Sequence, residues 1–268
     1  MNKKDFKKNK ISVVIIALNE EKKIGECLRS VKWSDEIVLV DSGSNDKTID
    51  IAKGYGGKVV VGKGGNYSQW RNEGLKKAKG EWILYIDADE RVTPELKNEI
   101  ISVVDTSKYN AYAIPRRNIV LGKELRHGGF GKFDYVKRLF KKDKLRGWVG
   151  ELHEEPEYYN EEGKLIKGGE GNIGHLRNKM LHIKAQSLSE MVEKTNLWSE
   201  VEAKLMYESR HPKMNIMRFG SSISREIWFR FVRHKAFLDG TVGIIHGIYQ
   251  VFSRFISYAK LWELQIRK

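Results

Sequence analysis

The sequence predicts an α/β fold in which a doubly wound parallel sheet is followed by a helical C-terminal region. Short apolar runs bounded by polar residues recur in the first 90 residues, a pattern typical of strands buried on both faces of a parallel sheet. Segments with helical periodicity separate these runs, as βα repeats require. Beyond residue 180, long amphipathic segments replace the strands, which indicates packed helices.

The first half of the chain contains four predicted buried strands, at residues 11–18, 36–40, 58–61 and 82–86. We expect Asn19 to cap the first helix, with Glu20 in its favourable first turn. Residues 48–53 and 66–79 are the next predicted helices, and Thr93 with Pro94 announces a fourth. Shorter strands are predicted at residues 110–115, 135–140 and 147–152, between glycine-rich loops.

Three long helices are predicted in the C-terminal part, at residues 189–208, 215–234 and 241–263. The second has an apolar stripe that begins at Ile216 and includes Phe219, and the third should place His246 on its polar face, opposite Phe252. Its uncharged run is shorter than the ~20 residues of a membrane span. We therefore expect attachment to a membrane surface, and packing on the same domain or on a sister subunit is the alternative.

Composition limits the choice of partners and compartment. The 268 residues include 49 Lys plus Arg against 35 Asp plus Glu, a net charge of +14, so polyanions such as nucleic acid, anionic lipid or nucleotide diphosphates should be attracted. The single cysteine, Cys27, excludes an intrachain disulfide and favours a reducing compartment. We expect Cys27 to be buried on a helix. Residues 1–10 indicate a disordered basic tail rather than a signal peptide.

Polar residues follow the predicted strands where they end. Asn19, Asp41 and Asp87 take these places, and the carboxyl ends of strands in an open α/β sheet border the ligand crevice. Asp87 and Asp89 should point to the same side, because alternate residues of a strand share a side. Two adjacent carboxylates favour a divalent cation and hence a metal-bridged diphosphate, although an acidic turn before a helix is the alternative. No dinucleotide-binding or P-loop fingerprint is present.

Four motifs in chain order are similar to those of a known family: SVVIIALNEE at residues 12–21, VDSGSNDKT at 40–48, QWRNEG at 69–74 and DADE at 87–90. On these motifs the chain resembles the inverting family 2 glycosyltransferases, whose catalytic domain has the A-type glycosyltransferase fold. Later pieces resemble the branch that contains the lipopolysaccharide core β-1,4-glucosyltransferases. These pieces are RLF at 138–140, VGELHE at 149–154, GH at 174–175 and FLDG at 237–240.

The resemblance implies a catalytic domain at residues 11–178 and a helical region at 179–268. Within the catalytic domain, residues 11–104 would bind the nucleotide sugar and 105–178 the acceptor. The residues implied in donor binding are Ala17, Asn19, Glu20, Asp41, Ser42, Arg71, Asp87 and Ala88.

Individual roles also follow from the resemblance. Asp41 would read the uracil, Asp87 would contact the ribose or a metal-bound water, and Arg71 would offset diphosphate charge. Asp89 would bind Mg²⁺ or Mn²⁺, with His175 as a further metal ligand. Glu154, Glu151 and His153 compete as the general base that inversion requires, and Glu154 best matches the acidic residue that ends the family's base motif.

The implied reaction is non-processive, since Gln-x-x-Arg-Trp does not occur. It would move glucose from UDP-glucose to a lipopolysaccharide inner-core heptose, at the inner face of the cytoplasmic membrane and without nucleic acid. A different nucleotide sugar for capsule, teichoic acid or protein glycan is an alternative, and the chain could form a homo-oligomer. Two other classes stay open at this point, a sugar-phosphate nucleotidyltransferase and a non-catalytic basic protein that binds membranes or nucleic acid.

Overall fold

The computed structural model describes residues 10–62, 64–106, 108–130, 134–150, 154–168 and 171–267. These residues belong to two compact units. Unit 1 contains residues 1–116 and 135–182, and unit 2 contains residues 117–134 and 183–268. Glu151 and His153, two of the three candidate bases, lie outside the described residues.

The strands are β1 Ile11–Ala17, β2 Glu36–Asp41, β3 Lys58–Val61, β4 Trp82–Asp87, β5 Glu90–Arg91, β6 Ala111–Val120, β7 Lys123–Glu124, β8 Tyr135–Lys141, β9 Leu145–Val149, β10 Glu155–Tyr159, β11 Leu165–Lys167, β12 Gly174–His175 and β13 Met180–Ala185. The α-helices are α1 Ile24–Val31, α2 Thr48–Gly54, α3 Tyr67–Lys77, α4 Pro94–Thr106, α5 Leu188–Glu208, α6 Ile216–Ile227 and α7 Gly240–Ile266. The seven predicted strands and seven predicted helices are present in the predicted order, with ends that shift by a few residues and with the predicted helix 215–234 ending as an α-helix at Ile227. Six further strands were not predicted: β5, β7, β10, β11, β12 and β13.

The centre of unit 1 is a parallel sheet in the order β3-β2-β1-β4. β8 continues this sheet antiparallel beside β4, and β6 pairs with β8. In the parallel part, Ala17 lies opposite Asp41 and Ile16 lies opposite Asp87. The ends of β2, β1 and β4 thus lie at one edge, as predicted.

Both faces of this sheet are covered, which is why its strands are continuously apolar. One apolar core joins the sheet to α1 and α4, with Cys27 fully buried as expected. The other core lies under α3 and a small sheet of β9, β10 and β11. α3 approaches the sheet closely at Gly74, where a Cβ atom would meet Cγ1 of Val14 at 2.3 Å.

The helix starts in unit 1 confirm one capping prediction and contradict another. Thr93 Oγ1 accepts from Leu96 N at 3.2 Å, directly before α4. Asn19 does not cap α1, which begins five residues later. The backbone of Asn19 is left-handed with φ of 53°, a conformation that asparagine tolerates better than most residues. The Asn19 side chain contacts the loop after β2 instead.

Unit 2 is built around α5, α6 and α7. Thr195 on α5 donates to the Tyr249 hydroxyl on α7 at 2.7 Å, and Phe219 on α6 packs against Phe255 on α7 with ring centroids 5.8 Å apart. A π-helical segment, Trp228–Arg233, and a 3-10 turn, Ala236–Asp239, join α6 to α7. No helix of the described ranges combines the length and apolar character needed to cross a bilayer.

The predicted faces of the last two helices are wrong in part. His246, expected on the polar face, is buried, whereas Phe252 is exposed. His246 packs against Phe130 with ring centroids 4.8 Å apart. On α6, Phe219 is partly buried as predicted, but Ile216 is 90% exposed. Periodicity identifies which residues share a face, but it does not decide which face meets the neighbouring helix.

Candidate active site

The end of β2 is a tight turn organised by Asp41. Its side chain is fully buried, and its Oδ1 atom accepts from the backbone N–H groups of Gly43 at 3.2 Å and Ser44 at 2.9 Å. Gly43 has φ of +112°, a conformation that favours glycine. Ser42 ties the turn to β1, because its N–H donates to the carbonyl of Ala17 at 3.0 Å. The ends of β1 and β2 are thereby held together.

The loop after β1 is fixed against the loop after β2. Asn19 Oδ1 accepts from Asn45 N at 2.9 Å, and Asn19 N donates to Ser44 Oγ at 2.8 Å. Glu20 N donates to Thr48 Oγ1 at 2.8 Å. Ala17, Asn19, Glu20 and Ser42 therefore form one connected rim together with Asp41. The contact of these residues with a nucleotide stays a prediction.

Arg71 joins two acidic residues at the end of β4. It is 2% exposed, and its Nη2 atom lies 2.8 Å from Asp87 Oδ1 and 3.1 Å from Glu154 Oε1. The guanidinium also lies over the Trp148 ring, 4.8 Å from its centroid, and Nη1 is buried without a hydrogen-bond partner among the described residues. α3, β4 and the start of β10 thus converge on this cation.

A second arginine, Arg138 on β8, completes the surroundings of Asp87. Its Nη2 atom contacts Asp87 Oδ2 and lies 3.2 Å from Oε1 of the fully buried Glu90. Glu90 in turn accepts from Asp87 N at 2.9 Å. Burial alone would raise the pKa of Asp87, but the charges of Arg138 and Arg71 outweigh it and hold that pKa well below its usual range. Asp87 is therefore ionised at neutral pH.

Asp89 lies beside a histidine that no sequence motif singles out. His182 on β13 places Nε2 3.6 Å from Asp89 Oδ2, because β13 pairs antiparallel with β5 and sets His182 opposite Glu90. His175, the predicted metal ligand, packs against Tyr135 instead, with ring centroids 4.9 Å apart. Ala88 between the two aspartates is buried, and its carbonyl accepts from Arg91 at 2.8 Å.

Four further residues of this site were not assigned a role from the sequence. Burial and the negative charges of Asp87 and Glu154 raise the pKa of the Tyr67 phenol, so this residue at the start of α3 lies within their field. Arg138, Glu90 and His182 also belong to the cluster. Arg138 precedes the apolar pair Leu139 and Phe140, but Lys137 stands directly before it, so the pattern of the strand alone does not indicate that Arg138 is buried.

The arrangement combines a polar rim at the ends of β1 and β2, an aspartate held by two arginines, a carboxylate beside a histidine, and a glutamate in contact with Arg71. Among the described residues, no group of three or more His, Cys, Asp and Glu side chains could hold a metal ion by itself. A carboxylate and an imidazole can nevertheless supply two ligands to a cation whose other ligands come from a bound diphosphate. The fold is the A-type glycosyltransferase fold, with C-terminal helices in addition.

Comparison with known proteins identifies the family. The model of glycosyl transferase family 2 matches residues 12–181. The chain therefore belongs to glycosyl transferase family 2 and is a glycosyltransferase.

Three similar proteins extend this comparison. An uncharacterized glycosyltransferase of Rickettsia typhi is 29% identical over 267 residues, which cover 96% of this chain and 88% of that protein. The lipopolysaccharide core biosynthesis glycosyltransferase LpsC of Rhizobium meliloti is 26% identical and covers 94% of this chain and 92% of its own length. The crystal structure of S. aureus TarS 1-349 is 18% identical with a TM-score of 0.47, covering 96% of this chain and 91% of that one.

Proposed function

We propose that the chain transfers one sugar from a nucleotide-sugar donor, with inversion, to a lipid-linked saccharide, and that the pair is UDP-glucose and a lipopolysaccharide inner-core heptose. The observation that supports this most is the cluster at the end of β4, where Arg71 joins Asp87 to Glu154. The similarity to a lipopolysaccharide core enzyme of Rhizobium meliloti supports the acceptor class. The motif resemblance supports the donor and the single transfer.

The donor is assigned to the edge that runs from β2 to β4. Asp41 and Asp87 end strands that lie on either side of β1, two strand spacings apart, or about 10 Å. That separation suits a base at one end and a ribose or diphosphate at the other. A carboxylate accepts the N3 hydrogen of uracil, and it would also accept donors of guanine, so the choice of uracil rests on the resemblance.

A divalent cation fits beside Asp89 and His182, whose Oδ2 and Nε2 atoms lie 3.6 Å apart. Carboxylate oxygen suits both Mg²⁺ and Mn²⁺, whereas an imidazole ligand is unusual for Mg²⁺. We therefore assign Mn²⁺ as the better fit and His182, in place of His175, as its nitrogen ligand. The bound cation would stabilise the leaving diphosphate as a Lewis acid.

The chain's own residues supply the remaining chemistry. Glu154 takes the proton of the acceptor hydroxyl while that oxygen attacks the anomeric carbon, and the nucleotide diphosphate leaves from the opposite side. Among the described residues, both contacts of Glu154 with Arg71 use Oε1, which leaves Oε2 for the proton. Arg71 then offers positive charge near the departing diphosphate. A lipid-linked acceptor also places the enzyme at the inner face of the cytoplasmic membrane, attached through the helices of unit 2.

Release of UDP from UDP-glucose in the presence of a heptose-terminated acceptor tests the proposal. Turnover should require Mn²⁺, stop with EDTA and fall at least 100-fold in Asp89→Ala, while the control Asp143→Ala, an exposed carboxylate on the turn before β9, keeps wild-type rates. The anomeric proton of the product, observed by NMR, should show the β configuration. Full turnover of Asp89→Ala, or a product with retained α configuration, would contradict the proposal.

A further inference from the structure

Exposed apolar side chains are concentrated in unit 2. Of the 25 large apolar residues that are exposed in the described chain, 20 lie in this unit. Single exposed apolar residues are ordinary, but a contiguous group marks an interaction surface. The segment from residue 216 to 238, which contains α6 and the π-helical segment, holds seven of them: Ile216, Met217, Ile227, Trp228, Val232, Phe237 and Leu238.

The outer face of α6 has the geometry of an interfacial helix. Met217 is 82% exposed and Trp228 is 52% exposed, and the two lie eleven residues apart on the same line of the helix. Exposed Ser221 and Ser224 lie between them on this line, and Ile216 and Ile227 lie beside it. This outer face therefore carries exposed apolar side chains at both ends with two serines between them, whereas the opposite side of α6, at Phe219, packs on α7.

The charge of the same segment has one sign. Residues 214–238 contain five Lys or Arg and a single acid, Glu226, which is paired with Arg230 at 2.7 Å. Arg218, Arg225, Arg233 and Lys235 are all exposed. At helical spacing, Arg218 and Arg225 lie together on one side of the line from Met217 to Trp228, and Ile216 and Ile227 lie on the other side. Cations therefore border one edge of this face.

We infer that this basic apolar face, defined by Ile216, Met217, Ile227 and Trp228 with Arg218 and Arg225, binds the surface of an anionic lipid bilayer. In a helix that lies on a membrane, the apolar side chains enter the boundary between headgroups and acyl chains, and the basic side chains lie at the level of the phosphates. A protein partner of matching charge would need an acidic rim around an apolar groove. A second copy of this chain cannot provide that rim from the same face, because the face is cationic and would repel its own copy.

The inference specifies the membrane partner of the proposed enzyme, yet its test does not depend on the sugar or the acceptor. The full chain is floated with vesicles of phosphatidylcholine alone and with vesicles that contain 30% phosphatidylglycerol. Wild-type protein should float with the anionic vesicles only. The double variant Met217→Glu, Trp228→Glu should bind at least tenfold more weakly, because two apolar side chains are lost from the interface. Val61→Glu, 63% exposed at the end of β3, is the matched control and should float as the wild type does.

Charge and insertion are tested separately. Arg218→Gln and Arg225→Gln should each weaken binding about fivefold, since a basic residue near an anionic surface contributes about that factor. Brominated lipid should quench tryptophan fluorescence in the wild type, and Trp228→Phe should remove most of this quenching. The inference is overturned if the double variant floats like Val61→Glu, if neutral vesicles bind equally well, or if the double variant changes only the oligomeric state in gel filtration while wild-type protein ignores the vesicles.

Discussion

Gly74→Ala should destabilise unit 1 and lower activity, although the substituted atom touches no ligand. A Cβ atom at position 74 would lie 2.3 Å from Cγ1 of Val14 and 3.2 Å from Cγ2 of Val40. Carbon atoms pack at about 3.5–4.0 Å, so α3 must move away from β1 by roughly 1 Å or more. Overpacking of this kind costs about 2 kcal/mol, which corresponds to a fall in Tm of about 4–8 °C.

The displacement should reach the active site through Arg71, which is three residues earlier on the same helix. Its contacts with Asp87 at 2.8 Å and Glu154 at 3.1 Å depend on the position of α3. Because a shift of about 1 Å can reduce catalysis ~100-fold, we expect kcat/KM to fall by about 10- to 100-fold.

Circular dichroism and UDP release measure the two effects. Val14→Ala removes the nearest methyl group that the new Cβ would meet, so the double variant should lose about 1–2 kcal/mol less stability than the two single losses predict together. Gly54→Ala is the control, because a Cβ there meets nothing within 4 Å. Strict additivity of the stability losses, together with full activity of Gly74→Ala, would refute the close packing of α3 on β1.

Three other expectations follow. Glu154→Gln should lower kcat by about 10²–10⁴-fold, as measured by UDP release. The adjacent control Glu155→Gln should keep the wild-type kcat. Equal kcat values for the two variants would contradict the role of Glu154 as base. Burial, with the charges of Lys184 and Arg230, lowers the pKa of His246 to about 4, and the unfolded state therefore binds more protons between that value and about 6.5. The free energy of unfolding, measured in urea, should fall by about 2 kcal/mol from pH 7 to pH 5, and this fall should disappear in His246→Gln. An unchanged pH dependence in that variant would contradict the lowered pKa of His246. Asp239→Ala should cost about 2–4 kcal/mol in thermal unfolding, because Asp239 accepts from the N–H groups of Arg126 at 2.9 Å and His127 at 2.8 Å, and a variant as stable as the wild type would contradict that account.

The central sheet could be predicted because its strands are short, continuously apolar and followed by polar residues. Asp41 and Asp87 were placed at one edge from this pattern alone, and the register of β2, β1 and β4 agrees. Local chemistry was less reliable. Asn19 was expected to cap a helix, but a left-handed conformation let its side chain bind the loop after β2 instead.

The rest of the site depends on pairings that are distant in the sequence. His182 meets Asp89 only because β13 pairs with β5 across 92 residues of chain, and periodicity contains no information about that register. Arg138 reaches Asp87 from β8 for the same reason. The exposed face of α6 was also misplaced, since Ile216 and Phe219 share a stripe in sequence but Phe219 alone finds a partner on α7.

Calorimetric titration of UDP into the full chain with Mn²⁺ tests most directly whether the end of β4 holds a metal-bridged diphosphate. Wild-type protein should bind UDP with Mn²⁺ present and lose that binding with EDTA. Asp89→Asn and His182→Gln should each weaken binding at least tenfold, while His175→Gln binds as tightly as the wild type. Equal affinity of wild type, Asp89→Asn and His182→Gln, or a loss confined to His175→Gln, would contradict the account.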